Sequence, residues 1–89
     1  MLQEYFGETC PHCITMKPLV AEVEKELGVT VEKFEVWNDE ENLKKMEDVD
    51  KSRCGGVPYF YNTETDEFLC GSASKAKLIA WAKGEKVGS

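Results

Sequence analysis

The period of hydrophobic and polar residues changes along the chain, and each change marks an element. Leu2-Gln3-Glu4-Tyr5-Phe6 alternates and ends at Gly7, which predicts a short strand. From Pro11, a residue preorganised for a first helical turn, the pattern becomes helical: Cys13, Met16, Val20, Val23 and Leu27 recur on one face, and Gly28 supplies the stop. Cys10 therefore falls at the N-cap. Pro18 lies inside this helix, where it removes a backbone donor and is expected to kink the axis.

Residues 29–37 alternate again and are rich in β-branched and aromatic side chains, which predicts a second strand. Asn38, followed three residues later by Glu41, resembles a capping box opening a helix through about Val49. Residues 51–56 read as a loop. Val57 to Asn62 and Glu67 to Cys70 then form a hairpin around Thr63-Glu64-Thr65-Asp66. If Asn62 faces Glu67, Tyr59 faces Cys70 and Pro58 faces Gly71. Ser74 caps a last helix ending near Lys83, and residues 84–89 read as a loose tail.

The order β-α-β-α-β-β-α makes this an α/β chain. A βαβ unit requires a parallel, right-handed crossover and the closing hairpin adds antiparallel strands, so a four-stranded mixed sheet with helices on both faces is expected. With 89 residues, 42% of them hydrophobic, there is material for one domain spanning residues 1–89. A chain of this size buries only about 60% of its unfolded surface, so an active site has to sit at the edge of the core.

Charge narrows the function classes. Seventeen acidic against eleven basic residues give a net charge of -6, with the lysines scattered, which argues against nucleic acid or an anionic membrane as partner. No apolar run approaches the roughly 20 residues that cross a bilayer, and Met1-Leu2-Gln3-Glu4 does not open a secretory signal. The sequence as given reads as cytoplasmic, and a mature exported form would read the same way. A monomer is expected.

The chemistry centres on Cys10-Pro11-His12-Cys13. Disulfide exchange needs two neighbouring thiols, one of them readily ionised. At the N-cap, Cys10 faces free backbone donors and the positive end of the helix dipole, which favour its thiolate and make it the nucleophile; Cys13, one turn in, is the resolving thiol of a Cys10/Cys13 redox disulfide. His12 adds a donor or a positive charge beside the Cys10 sulfur, which raises the oxidising power of the pair; its alternative is a solvated side chain. Glu4 shares a strand face with Leu2 and Phe6, where an unpaired carboxylate is costly unless that end of the sheet is exposed. Zinc sites use the same cysteine spacing, but no second C-x-x-C or spaced His pair follows, so no metal is assigned.

With these residues in place, the chain resembles the thioredoxin superfamily over nearly its whole length. Cys10-Pro11-His12-Cys13 is similar to the active site of the periplasmic disulfide-forming oxidoreductases. Without their large helical insertion, the build is nearer to a glutaredoxin or a minimal thioredoxin. Pro18, eight residues after Cys10, matches the family's helix-kinking proline, and Gly55-Gly56-Val57-Pro58 matches its cis-proline loop. The resemblance implies a protein-disulfide oxidoreductase that exchanges disulfides with protein substrates and is recycled by a reductase or by glutathione. It places substrate binding at Thr9, Val57, Pro58, Gly71 and Ser72. It also implies a proton-transfer role for Glu4, six residues before the nucleophile, paired with Lys33 on the neighbouring strand. The structural alternative for Pro58 is a trans proline opening an edge strand.

Thr9 stands where thioredoxins have Trp. Glu8, and Gly71-Ser72-Ala73-Ser74 without an Asp, depart from the glutathione-binding pattern. Two alternatives accompany the main reading: a glutathione-dependent glutaredoxin, and an electron-relay module that holds a metal or cluster through Cys10, Cys13 and further cysteines. Cys54 and Cys70 are expected to be free thiols, because Cys54 lies several residues beyond the paired part of the hairpin. That distance exceeds the roughly 7 Å a disulfide tolerates unless Gly55-Gly56 doubles back. On this reading Cys70 is a small buried hydrophobe and Cys54 a loop thiol, with an auxiliary redox or metal-binding role as the functional alternative.

Overall fold

Four of the first strand's five residues are buried, and this identifies it as an interior strand. The computed structural model describes residues 1–51 and 53–87. In chain order its elements are β1 (Leu2–Phe6), α1 (Pro11–Leu27), β2 (Val31–Glu35), α2 (Glu40–Asp50), β3 (Tyr59–Asn62), β4 (Phe68–Cys70) and α3 (Lys75–Ala82). They form an α/β fold around a four-stranded mixed sheet of order β2-β1-β3-β4. The one parallel pair is β1 with β2, joined across α1, while β1 with β3 and β3 with β4 are antiparallel.

Strand alternation separates two cores. Leu2, Val31, Phe60 and Leu69 project to one side and pack against Met16, Val20 and Val23 of α1 and Leu78 and Trp81 of α3. Tyr5 and Tyr59 project to the other side and pack with Val36 and Met46, the latter from α2. Tyr5 stacks on Phe34 at 5.1 Å between centroids. Among the described residues no helix is long and apolar enough to cross a membrane.

Several boundaries differ from the sequence expectations. The second strand is Val31–Glu35 rather than 29–37: the Val29 N–H closes the end of α1 on Glu24 O, and past Glu35 the chain turns. Within that turn the Glu35 carboxylate accepts the N–H groups of Glu8, Trp37 and Asn38 at 2.9, 3.2 and 2.7 Å. Because Asn38 is engaged there, the N-cap of α2 is Asp39, whose Oδ1 accepts from Glu41 and Asn42. The hairpin has the expected register, with Tyr59 opposite Cys70 and Gly71 N–H donating to Pro58 O at 2.8 Å. The tail is tied down through residue 87, since Glu85 N–H donates to Ala80 O and Val87 N–H to Glu67 Oε1. Residues 88 and 89 of the expected loose tail, and residue 52 of the loop, lie outside the described residues.

The largest correction concerns the two later cysteines. Cys54 and Cys70 are not free thiols: they form a disulfide with Cα atoms 5.6 Å apart. Nor is Cys70 a buried hydrophobe, since it is exposed on the outer strand. The loop does double back. Gly55 adopts a left-handed φ of 73°, and the buried Asp50 carboxylate at the end of α2 accepts both Cys54 N–H and Gly55 N–H at 2.8 Å. The chain is thereby reversed onto β4. Closing a loop with a sequence separation of 16 removes roughly 3 kcal/mol of denatured-state entropy. Reduction is therefore expected to lower the melting temperature by about 10–20 °C, measured by circular dichroism with and without reductant.

Candidate active site

The C-terminal end of β1 delivers the chain through Gly7-Glu8-Thr9 to the N-terminus of α1. Cys10 is the N-cap: its backbone is extended, its Sγ accepts Cys13 N–H at 3.2 Å, and its carbonyl accepts Ile14 N–H at 3.0 Å. Pro11 at the first helical position has no N–H to leave unsatisfied, and α1 runs continuously through Pro18 to its cap at Gly28, φ 65°. Cys10 and Cys13 are both free thiols and both buried, so the pair is in its dithiol state. Burial, reinforced by the hydrogen bond with the Cys10 sulfur, pushes the Cys13 thiol up to about 12. His12 and Thr9 are exposed on either side of Cys10 in sequence.

Glu4 is 2% exposed, so it does not sit at a frayed sheet end. It is level with Lys33 in the parallel register and lines a small open cleft with Phe6, Cys13, Lys17 and Lys33, which can admit water. Burial pushes the Glu4 carboxyl up to about 7 against the pull of Lys33 and Lys17. Lys33 exerts only part of its charge there, because its Nζ is held by the Glu24 carboxylate at 3.3 Å and by Val31 O at 3.1 Å.

The Val57–Pro58 peptide is cis. Continuing the β1–β3 register one step past Tyr5 and Tyr59 brings Pro58 level with Phe6, at the sheet end from which α1 departs. Pro58 is buried, Val57 packs into the α2-side core, Gly71 bonds to Pro58 O, and Ser72 is exposed beyond it. Glu4, Cys13 and Lys33 thus meet at one cleft and Pro58 and Gly71 at the same end of the sheet, whereas His12 and Ser72 are exposed and are not among the residues that line the cleft.

Three supporting residues escaped the sequence reading. Lys17 was one position on a helix surface, yet it lines the Glu4 cleft. Glu35 ties the turn after β1 to the turn after β2. Trp37, half exposed at 53%, lies flat on Gly7, so that a Cβ at position 7 would run into the indole. Gly7 O in turn accepts Cys10 N–H at 3.1 Å. Replacing Gly7 by Ala should displace Trp37 and cost about 1–3 kcal/mol, read from urea melts together with a red shift in tryptophan emission. A Trp37→Phe background, in which a smaller ring meets the new methyl, should recover part of the loss. In the sequence only a glycine directly after the first strand hinted at this contact.

Among the described residues, no group of three or more His, Cys, Asp or Glu side chains is arranged to hold a metal ion. The Cys54–Cys70 link also removes the further thiolates that a cluster built on Cys10 and Cys13 would require. No known family model matches the chain, and no curated protein is significantly similar to it.

Proposed function

We propose that the chain is a thiol-disulfide oxidoreductase of thioredoxin-like build, with Cys10 and Cys13 as its redox pair. The observation that carries this reading is the placement of Cys10 Sγ at the N-cap of α1, 3.2 Å from Cys13 N–H, with the Cys13 thiol buried one turn in and facing the Glu4 cleft. Such a site distinguishes an attacking sulfur from a resolving one.

Reduction of a substrate disulfide proceeds in two exchanges. The Cys10 thiolate attacks one substrate sulfur in line, the substrate S–S bond breaks, and its other sulfur leaves as a thiolate that takes a proton. Cys13, neutral at physiological pH, then passes its proton through cleft water to the Glu4 carboxylate, which at about 7 is poised to accept it. The Cys13 thiolate attacks Cys10 Sγ, releasing the second substrate thiolate and leaving the Cys10–Cys13 disulfide; oxidation of a dithiol substrate runs the same steps in reverse. Two electrons pass from the protein dithiol to the substrate.

Thr9, Val57, Pro58, Gly71 and Ser72 border the position of the substrate chain in this reading, and His12 tunes the pair from the exposed side. A protein disulfide such as that of insulin serves as test substrate. Turnover in dithiothreitol-driven insulin reduction is expected. Complete inactivity, with Cys10 and Cys13 nonetheless free and the fold intact, would remove the oxidoreductase reading.

A further inference from the structure

The Cys54–Cys70 disulfide plays no part in these steps, yet it brackets the segment that carries Val57 and Pro58. We infer that it is a second thiol-exchange site, which takes a low-molecular-weight thiol or dithiol, and that its state sets the geometry of the Val57–Pro58 loop. The exchange stands on the disulfide's own surroundings; its influence on Cys10 and Cys13 rests on the function proposed above.

Accessibility comes first. Cys70 is exposed at the end of the outer strand β4, while Cys54 is half-buried against the α2-side core. An incoming thiolate therefore meets the Cys70 sulfur and Cys54 becomes the leaving group. Cys54 Sγ lies 3.5 Å from Gly56 O, a carbonyl able to accept the S–H that forms when the bond opens.

The chain reversal that brings the two sulfurs together is held by contacts besides the bond. Asp50 holds Cys54 N–H and Gly55 N–H at 2.8 Å each. Arg53 is anchored by its guanidinium, which pairs with Asp66 at 3.4 Å, lies 4.3 Å from the Phe68 ring centroid and donates through Nε to Asp50 O at 3.0 Å. On the other side Cys70 stays opposite Tyr59 in the sheet. After reduction the two thiols remain neighbours, so the pair can close again without refolding.

The consequence reaches the loop because the disulfide spans it. Cys54 precedes Pro58 by four residues, and Cys70 adjoins Gly71, whose N–H bonds to Pro58 O at 2.8 Å. Opening the bond removes one restraint on this segment: Gly55 N–H stays on Asp50, while Gly56, where even an added Cβ would meet nothing within 4 Å, is the point at which the path to Val57 can change.

With dithiothreitol as reagent the chemistry balances. One thiolate of the reagent attacks Cys70 Sγ, the Cys54–Cys70 bond breaks, and Cys54 departs as a thiolate and is protonated. The reagent's second thiolate attacks its own sulfur in the mixed disulfide, closing the cyclic disulfide and releasing the Cys70 thiolate. The reagent is oxidised and the protein disulfide reduced by two electrons.

The test begins with the C10S/C13S chain, in which only the second pair can titrate. It is equilibrated from both directions in buffers of reduced and oxidised dithiothreitol, alkylated, and read by mass spectrometry of the 54 and 70 peptides, with far-ultraviolet circular dichroism at each point. The expected result is a reversible two-electron titration with unchanged dichroism. A link that opens only as the dichroism collapses overturns the inference and makes the bond a staple. The second arm compares the otherwise native chain with its C54S/C70S form, at a temperature where both are folded, on insulin and on a small-molecule disulfide, in mixtures where alkylation and mass spectrometry show the native 54–70 link still closed. The KM for insulin should rise about fivefold or more while turnover of the small disulfide holds. Equal KM values would overturn the coupling. Inactivity of the native chain on both substrates would count against the proposed function alone, because the C10S/C13S titration reads the second site independently.

Discussion

Replacing Cys10 by Ser should lower insulin reduction by roughly three orders of magnitude or more, because the hydroxyl cannot supply the attacking thiolate. Cys13→Ser should behave differently. That variant keeps the attacking sulfur at the N-cap and loses only resolution, so it should accumulate mixed disulfides with substrate, visible as a reducible band on non-reducing gels. Both thiols are buried, so the distinction follows from their surroundings: burial and the hydrogen bond with the Cys10 sulfur push Cys13 up to about 12 and keep it protonated near neutral pH, whereas Cys10 Sγ accepts a backbone N–H at the helix N-terminus, so iodoacetamide should label Cys13 far more slowly than Cys10. Faster labelling of Cys13, or retained activity in Cys10→Ser, would reverse the roles.

The second large effect belongs to Glu4. Its carboxyl rises from 4.5 to about 7 on folding, chiefly through burial, so between those values the folded protein binds a proton that the unfolded chain has lost. Stability from this group is present in full at acid pH and is lost as pH climbs through about 7. At about 1.4 kcal/mol per pH unit, the total comes to about 3 kcal/mol. Urea melts at pH 5 and pH 8 should show that the native chain loses about this much more stability than Glu4→Gln over the interval. The comparison between the two proteins cancels the other carboxylates.

Glu4→Gln should also slow release of the mixed disulfide near neutral pH, since Cys13 then lacks its proton acceptor. Stopped-flow resolution rates that match the native protein at every pH would confine Glu4 to packing. Lys33 is expected to act through Glu4. Its removal should raise the midpoint of the Glu4-dependent step, because Lys33 is the strongest of the charges drawing that carboxyl down.

Much of this site was readable before any tertiary structure, because it is built from local rules. The start of α1 at Pro11, its cap at Cys10 and its stop at Gly28 follow from a proline suited to a first turn, a side chain able to accept from the third N–H, and a glycine free to turn left-handed. The placement of Cys10 and Cys13 one turn apart on a helix terminus needed nothing more. The hairpin register was equally local, since pairing Asn62 with Glu67 determines that Tyr59 meets Cys70. Alternation along β1 also put Glu4 on the face of Leu2 and Phe6.

What the sequence left open was decided by contacts between distant segments. The stretch between α2 and β3 carries no periodicity, and its reversal depends on left-handed backbone at Lys51 and Gly55 and on Asp50, a carboxylate at the end of a helix whose sequence does not reveal that it will turn inward and collect two N–H groups. A straight extrapolation along β3 therefore set Cys54 too far from Cys70, whereas the reversed loop joins them. Similarly, Asn38 looked like the better cap until Glu35 bound its N–H, and the cap moved to Asp39. Trp37 met Gly7 only because β2 lies beside β1. Periodicity and capping act over a few residues and are written in the chain, whereas disulfide pairing, carboxylate burial and the seating of one loop on another depend on which strands become neighbours.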